Sequence, residues 1–332
     1  MPTISLLICD DSNMARKQLI RALPSDWGVS VTTAVNGREG LEAIRQGRGH
    51  VVLLDLTMPE MDGYQTLVAI RAENLQAKVI VVSGDVQEEA VRRTLELGAL
   101  AFLKKPADPL ELKATLQRLG LLGKPASAVV VATEAEPGAI SFQDALRETI
   151  NVAMGRAAAL LARVLGVFVQ LPVPNVNMLE VGELHMALAD AQASDRLTAV
   201  CQGYIGSGIA GEALLLFHDS EIAEMAQLMN LQNSDSSDME MLLDLSSILI
   251  GACLSGIAEQ LDIAFSQGHP QVLGVHSGIE ELIRINQQRW KKTLAVEISY
   301  SLEGHNIHFD LLMLFTEDSV ELLSKKLAHL MS

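Results

Sequence analysis

Residues 51–63 read VVLLDLTMPEMDG, a short aliphatic run that ends on a carboxylate, Asp55. Four similar runs surround it: Leu6 to Cys9, Val29 to Ala34, Lys78 to Ser83 and Ala101 to Lys104. Each of the five, Val51 to Asp55 included, leads into a stretch with amphipathic helical spacing. Five strand–helix units in this order predict a doubly wound, five-stranded parallel α/β sheet, with its chemistry at the C-terminal strand ends. Asp10-Asp11 stand at the end of strand 1, Asp55 at the end of strand 3, Ser83 at the end of strand 4 and Lys105 just after strand 5. Three crowded carboxylates repel one another unless a hard cation sits among them, and Mg²⁺ prefers oxygen ligands. A carboxylate attacking a phosphoryl donor needs such a cation, and a hydroxyl and an ammonium can bind the remaining phosphoryl oxygens. Ser12 is the expected cap of the first helix.

These residues fall into motifs: DDS at 10–12, DLTMPEMDG at 55–63, SGD at 83–85 and FLKKP at 102–106. Residues 4 to 120 resemble the receiver family of response regulators, which includes the chemotaxis protein CheY. The resemblance implies that Asp55 is the phosphoacceptor, loaded by a sensor histidine kinase. It further implies that Asp11 directly, and Asp10 through water, hold Mg²⁺ together with Asp55 and the Thr57 backbone carbonyl. Ser83 and Lys105 would bind the phosphoryl group, and Phe102 would occupy the switch aromatic position. Lys105 is preferred to Lys104 because the family places its lysine immediately before the proline.

A chain of 332 residues is long for one core and points to two or three domains. Apolar residues make up 49% and charged residues 20%, the balance of a folded protein with a sizeable interior. The most apolar stretch, Leu245 to Ile257, is 13 residues long and contains Ser246, Ser247 and Ser255, which is short for a membrane span. Ser5 to Cys9 is too short for a secretory apolar region. The expectation is a cytoplasmic protein without membrane insertion. Cys9, Cys201 and Cys253 show no metal or disulfide spacing and read as buried thiols in a reducing compartment.

The net charge is −16, unevenly spread. Residues 1 to 120 carry 14 Lys+Arg against 15 Asp+Glu, whereas residues 121 to 332 carry 11 against 26. So acidic a second part repels phosphate backbones and argues against nucleic acid as a partner. Between the parts, from Leu121 to Ala139, periodicity gives way to Gly, Pro, Ala, Ser and Glu. This segment reads as a linker, and the expected domains are 1–120, the linker 121–139, and 140–332.

Residues 140–332 repeat internally with an offset near 96. Glu148, Asn151 and Gly155 face Asp244, Ser247 and Gly251, and 22 residues separate Asn151 from Pro174 just as 22 separate Ser247 from Pro270. LLLFHDSEIAEMAQLM (214–229) likewise faces LMLFTEDSVELLSKKL (312–327). Each copy is expected to be a long helix, a short strand ending near proline, a strand hairpin and a second helix, giving a pseudo-two-fold α+β unit. Asp144, Glu148, Asn151 and Gly155 recur at intervals of four, three and four and so share one helical stripe.

The pattern Asp144-x3-Glu148-x2-Asn151-x22-Pro174 resembles the signature of the CheC family, which includes CheX and acts as phosphatases of phosphorylated receivers. The resemblance implies that Glu148 contacts a receiver's conserved lysine, while the Asn151 amide orients a water for in-line attack on phosphorus. An amide suits that task, since it both donates and accepts without titrating near neutrality. Glu240, Asp244 and Ser247 depart from the signature, so the second copy, with Pro270, is expected to be degenerate, and Gly251 to permit tight packing. The leading expectation is therefore an aspartyl-phosphate phosphatase acting on its own receiver or on a CheY-like partner. The alternative is a non-catalytic interaction or dimerisation module controlled by phosphorylation.

Overall fold

The computed structural model describes residues 4–122, 140–179, 197–229, 238–277 and 293–331. Most of the expected linker, residues 123–139, lies outside them. Apart from the last two residues, the chain divides into two compact units, Met1–Glu148 and Thr149–Leu330.

In the first unit, strands β1 (Ile4–Cys9), β2 (Val29–Ala34), β3 (Val51–Leu54), β4 (Lys78–Ser83) and β5 (Ala101–Lys104) form one parallel sheet in the order β2-β1-β3-β4-β5. The fully buried strand residues Leu6, Ile8, Leu53 and Ile80 make up much of the core with Leu112 and Leu116 of the last helix. Removing each such side chain from water contributes about 1.5–3 kcal/mol. Strand order reverses between β1 and β3, so their C-terminal ends open a crevice at the switch point, and Asp10 and Asp55 stand there.

Side-chain caps set where the helices begin. Ser12 accepts from the Ala15 amide at the start of α1 (Asn13–Ala22), as the sequence leads one to expect. Asn36 caps α2 (Gly37–Arg45). Asp62 and Gln65 close a capping box on α3 (Gly63–Ala72). Helix α4 (Glu88–Glu96) follows β4, and Asp108 caps α5 (Pro109–Arg118), where Pro109 takes the position that needs no amide donor.

Two boundaries differ from the sequence reading. Strand β1 starts two residues earlier, because Ile4 already pairs with Val29. Strand β3 stops at Leu54, so Asp55 follows the strand while its amide still donates to the Cys9 carbonyl at 2.9 Å. Leu121, assigned to the linker by composition, is buried in this core, and its carbonyl accepts from Trp27 Nε1 at 3.1 Å.

Gly63 is the tightest point behind Asp55. A Cβ there would lie 2.3 Å from the Asp55 carbonyl oxygen and 2.8 Å from Leu56 Cα, both backbone atoms that cannot swing away. Gly63→Ala is therefore expected to cost about 1–3 kcal/mol, read as a lower urea midpoint at unchanged slope. An unchanged midpoint would contradict this packing.

The division between the units falls within one helix, α6 (Phe142–Leu165). The second unit pairs its strands antiparallel in an eight-stranded sheet. Strands β8 (Leu197–Gly206) and β9 (Ile209–His218) form one hairpin, β12 (Thr293–Leu302) and β13 (His308–Phe315) another, and β9 joins β13 at the centre. The short β6 (Val169–Gln170) and β7 (Asn175–Leu179) pair with β12, whereas β10 (Ser266–Gln267) and β11 (Gln271–Ser277) pair with β8. Each hairpin thus receives the short strands from the other half of the unit. Tyr300, Phe309 and Phe217 sit in register across β12, β13 and β9, with ring centroids 5.3 and 5.9 Å apart.

Two 24-residue helices, α6 and Asp238–Leu261, precede the two halves, and helices Asp219–Leu228 and Glu317–Met331 close them. The strands β7 and β11, which follow the prolines, were not anticipated, since a strand ending near proline was expected there. Among the described residues, Asp238–Leu261 is the one helix long and apolar enough to cross a membrane, although 56% of its most apolar window is buried within the fold. Its most apolar stretch in the sequence, Leu245 to Ile257, is only 13 residues long. The two long helices approach closely at Gly256 rather than at Gly251. A Cβ on Gly256 would lie 2.8 Å from Ala153 Cα, whereas one on Gly251 would meet its nearest neighbour at 3.5 Å.

Candidate functional site

The acidic cluster of the first unit is built by loop geometry at two strand ends. Asp10 follows β1, with its amide held by the Ala34 carbonyl, and Asp55 follows β3. Carboxylate oxygens of Asp10, Asp11 and Asp55 all lie within 4.8 Å of one another. Asp10 and Asp55 are each 1% exposed, and Asp11 is half-buried. Both Asp55 carboxylate oxygens are buried and accept no hydrogen bond among the described residues. A buried, hydrogen-bond-free carboxylate beside two others is costly as it stands. The donor set, all hard oxygens, fits a small divalent cation.

Lys105 supplies the counter-charge. It is 4% exposed, and its Nζ lies 2.8 Å from Asp10 Oδ2, 3.3 Å from Asp55 Oδ2 and 3.2 Å from Glu148 Oε1. Lys104, by contrast, pairs with Ser83 in the sheet and points to solvent. Ser83 is fully buried and its hydroxyl accepts from the Asp85 amide at 3.1 Å. Thr57 and Phe102 are half-buried, on the loop after β3 and on β5.

The electrostatics follow from burial. Desolvation lifts the Asp55 carboxyl well above the usual carboxylate range; Lys105 opposes this, while Asp10, Glu148 and Asp11 add to it. Burial alone would lower the Lys105 ammonium, but Asp10, Asp55 and Glu148 together hold it well above its ordinary value. Burial raises Glu148 to about 7, with Lys105 opposing and Asp10 and Asp11 reinforcing. Asp11 is raised to about 6 by burial and by Asp10.

A raised carboxyl binds its proton more tightly in the folded state. The stability Asp11 contributes without metal is therefore present below about pH 4 and lost as pH rises through about 6. Metal binding has the opposite slope, because the proton must leave first. Mg²⁺ affinity is expected to fall at least about tenfold from pH 7.5 to pH 5, since Asp11 alone contributes one decade for one unit below its midpoint and Asp55 must lose its proton as well. Calorimetric titration at the two pH values checks this, and equal affinities would contradict it.

The motif Asp144, Glu148, Asn151, Gly155 lies on α6, as its periodicity requires. Glu148 and Asn151 are 4% and 6% exposed, and Gly155 and Pro174 are buried as well. Asp144, in the first turn, accepts from two backbone amides of α1, Asn13 at 3.1 Å and Met14 at 2.8 Å. Sequence reasoning placed Asp144 on the stripe but did not find this partner, which is 130 residues away in the chain. The corresponding residues of the other long helix, Glu240, Asp244 and Ser247, are all exposed, and Pro270 is half-buried.

Comparison with known proteins agrees with the first unit. Residues 6–117 match the family model described as the response regulator receiver domain. The protein-glutamate methylesterase/protein-glutamine glutaminase of Symbiobacterium thermophilum is 37% identical over 142 residues, which are 42% of this chain and 39% of that protein. The chain thus spans about two fifths of that relative's length, and the activity in its name belongs to that protein. Among solved structures, Thermotoga maritima FliY aligns over 57% of this chain and 96% of its own, with 17% identity and a TM-score of 0.42. A CheX-CheY-BeF3-Mg²⁺ complex from Borrelia burgdorferi aligns over 35% of this chain and 89% of the matched chain, with 29% identity and a TM-score of 0.32.

Proposed function

Because residues 6–117 are a response regulator receiver domain, we propose that this chain takes up a phosphoryl group on Asp55 and that residues 140–332 hydrolyse the acyl phosphate of a receiver. The observation that carries the reading is the buried ion pair of Glu148 with Lys105, which brings the glutamate of the second motif onto the lysine of the first. Burying both partners of such a pair costs desolvation energy that their mutual attraction must offset.

A Mg²⁺ ion held by Asp10, Asp11, Asp55 and the Thr57 carbonyl would neutralise phosphoryl oxygens as they approach. An Asp55 oxygen attacks the phosphorus of a phosphohistidine on a sensor kinase, and the histidine leaves. Ser83 and Lys105 hold the transferred group, and Phe102 is assigned as the aromatic that responds to it. In hydrolysis Glu148 keeps the Lys105 ammonium in place, and that ammonium has three donors to share. Asn151, three residues further along α6, donates to the phosphoryl group and accepts from a water aligned behind the phosphorus. The water attacks in line, the bond from phosphorus to the Asp55 oxygen breaks, and the protons leave with the phosphate.

Residues 140–332 are read here as a duplicated, CheC-like α+β unit. Supporting this are the two 24-residue helices, the shared order of elements and the exchanged short strands. The exposure of Glu240, Asp244 and Ser247 favours a degenerate twin. The test loads the full chain from a small phosphodonor with Mg²⁺, removes the donor and follows the aspartyl phosphate. Glu148→Ala combined with Asn151→Ala is expected to slow its loss to the intrinsic rate. Equal decay in the two proteins would leave a non-catalytic module, controlled by phosphorylation, as the better description.

A further inference from the structure

Resting on the reading of Asp10, Asp11 and Asp55 as the site that holds Mg²⁺ and takes up the phosphoryl group, we propose that Arg16 is its positioning residue. The buried guanidinium sets the direction of two of the three carboxylates by holding the backbone from which they hang. Arg16 is 8% exposed and ends the first turn of α1. Its Nη1 donates to the Asp10 carbonyl at 2.6 Å and to the Asp11 carbonyl at 3.1 Å. Its amide donates to the Ser12 carbonyl at 3.0 Å and so begins the helical bonding of α1. Neither burial nor position favours a cation here, since burying a charge costs desolvation and the positive end of the helix dipole repels it. The two charge-assisted carbonyl bonds and the neighbouring carboxylates offset both.

The contact fixes the loop that carries the acids. Each peptide unit is planar, and only the two dihedrals between units turn. The Asp10 and Asp11 carbonyls belong to the peptide units on either side of Asp11, so one guanidinium holds both dihedrals of that residue and the direction of its side chain. Asp10 is held further, because its amide donates to the Ala34 carbonyl at 3.0 Å and its Oδ1 accepts from the Ser12 amide at 2.9 Å. Asp11 is half-buried where Asp10 and Asp55 are buried, so its orientation depends most on Arg16. Mg²⁺ demands near-ideal octahedral geometry, and groups that orient its ligands contribute about 10- to 100-fold in affinity.

Charge and geometry predict opposite outcomes. A cation beside three carboxylates repels a second cation, so as a charge alone Arg16 would weaken Mg²⁺ binding and its removal would strengthen it. As a positioning residue it strengthens binding, and its removal must weaken it. Lysine separates the two further, because an ammonium keeps the charge without the fixed donor geometry of a guanidinium.

Full-length wild type, Arg16→Ala and Arg16→Lys, each first shown to be folded by its melting transition, are titrated calorimetrically with Mg²⁺ at pH 7.5. Both variants should bind at least about tenfold more weakly than wild type. In phosphoryl uptake from a small phosphodonor, the Mg²⁺ concentration giving half the maximal rate should rise by the same factor, while the rate at saturating Mg²⁺ returns to that of wild type. In wild type itself, exchange of the Arg16 guanidinium protons, followed by NMR, should be slow with and without Mg²⁺, a measurement that needs no variant. Wild-type affinity in either variant, tighter binding in Arg16→Ala, or guanidinium exchange as fast as in free arginine would overturn the proposal and leave the phosphoacceptor site standing. A wild-type protein that neither binds Mg²⁺ nor takes up a phosphoryl group would overturn both.

Discussion

Asn151→Ala should lengthen the life of the Asp55 acyl phosphate by about 100-fold, the effect typical of removing one preorganised donor from a site of charge development. The side chain is 6% exposed and neutral, so its replacement leaves no stranded charge. Removal of the amide leaves the loading residues unchanged, because Asp10, Asp11, Asp55 and Lys105 belong to the first unit and Asn151 to the second. Loading from a small phosphodonor should thus proceed at the wild-type rate while decay alone slows. Stopped time courses of acid-stable phosphate release separate the two steps. Loss of both, or of neither, would remove Asn151 from the role given to it.

Asp55→Asn should abolish phosphoryl uptake altogether, since an amide is no nucleophile toward phosphorus and Asp10 and Asp11 are not expected to replace it. The same substitution should leave the metal-free protein at least as stable as wild type. Asp55 accepts no hydrogen bond among the described residues, and desolvation with the neighbouring carboxylates outweighs the Lys105 ammonium 3.3 Å away, so a neutral isostere relieves more than it loses. Thermal unfolding in chelator, compared with unfolding in Mg²⁺, reads this directly. Wild type should gain stability from the ion and Asp55→Asn much less. A destabilised Asp55→Asn protein without metal would contradict the electrostatics described above.

Much of the first unit was legible because its information is local. Strands such as Lys78–Ser83 and Ala101–Lys104 hold short apolar runs that end on polar residues, and Ser12 marks a helix start a few residues from what it caps. The strand order then brings Asp10, Asp55 and Lys105 to one edge with no further information than the alternation of strand and helix. What escaped was set by distant contacts. Leu121 looks like linker by its neighbours in sequence, yet the Trp27 indole and the core claim it. Asp144 looks like one more polar residue on a helical stripe, and only the fold reveals that its partners are the amides of Asn13 and Met14.

The motif around Glu148 carries a similar lesson. Glu and Asn three apart are common on solvated helix faces, and the pair Asp244 and Ser247 is indeed exposed. Glu148 instead is buried against Lys105, where a carboxylate would not go without a counter-charge. Periodicity could place both pairs on a stripe but could not say which stripe is covered. Likewise, apolar run length underrated the helix Asp238–Leu261, because Asp244 and Glu259 bound the run without interrupting the helix. The close approach at Gly256 depends on the neighbouring Ala153 backbone, which no spacing within one helix encodes.

The most direct measurement is the fraction of full-length chains carrying a phosphoryl group at steady state with a small phosphodonor and Mg²⁺ in excess, read by intact-mass spectrometry. Wild type should stay mostly unphosphorylated while releasing phosphate continuously, and Asn151→Ala should accumulate phosphorylated chains at Asp55. Equal phosphorylated fractions in the two proteins would contradict a hydrolase built on Glu148 and Asn151.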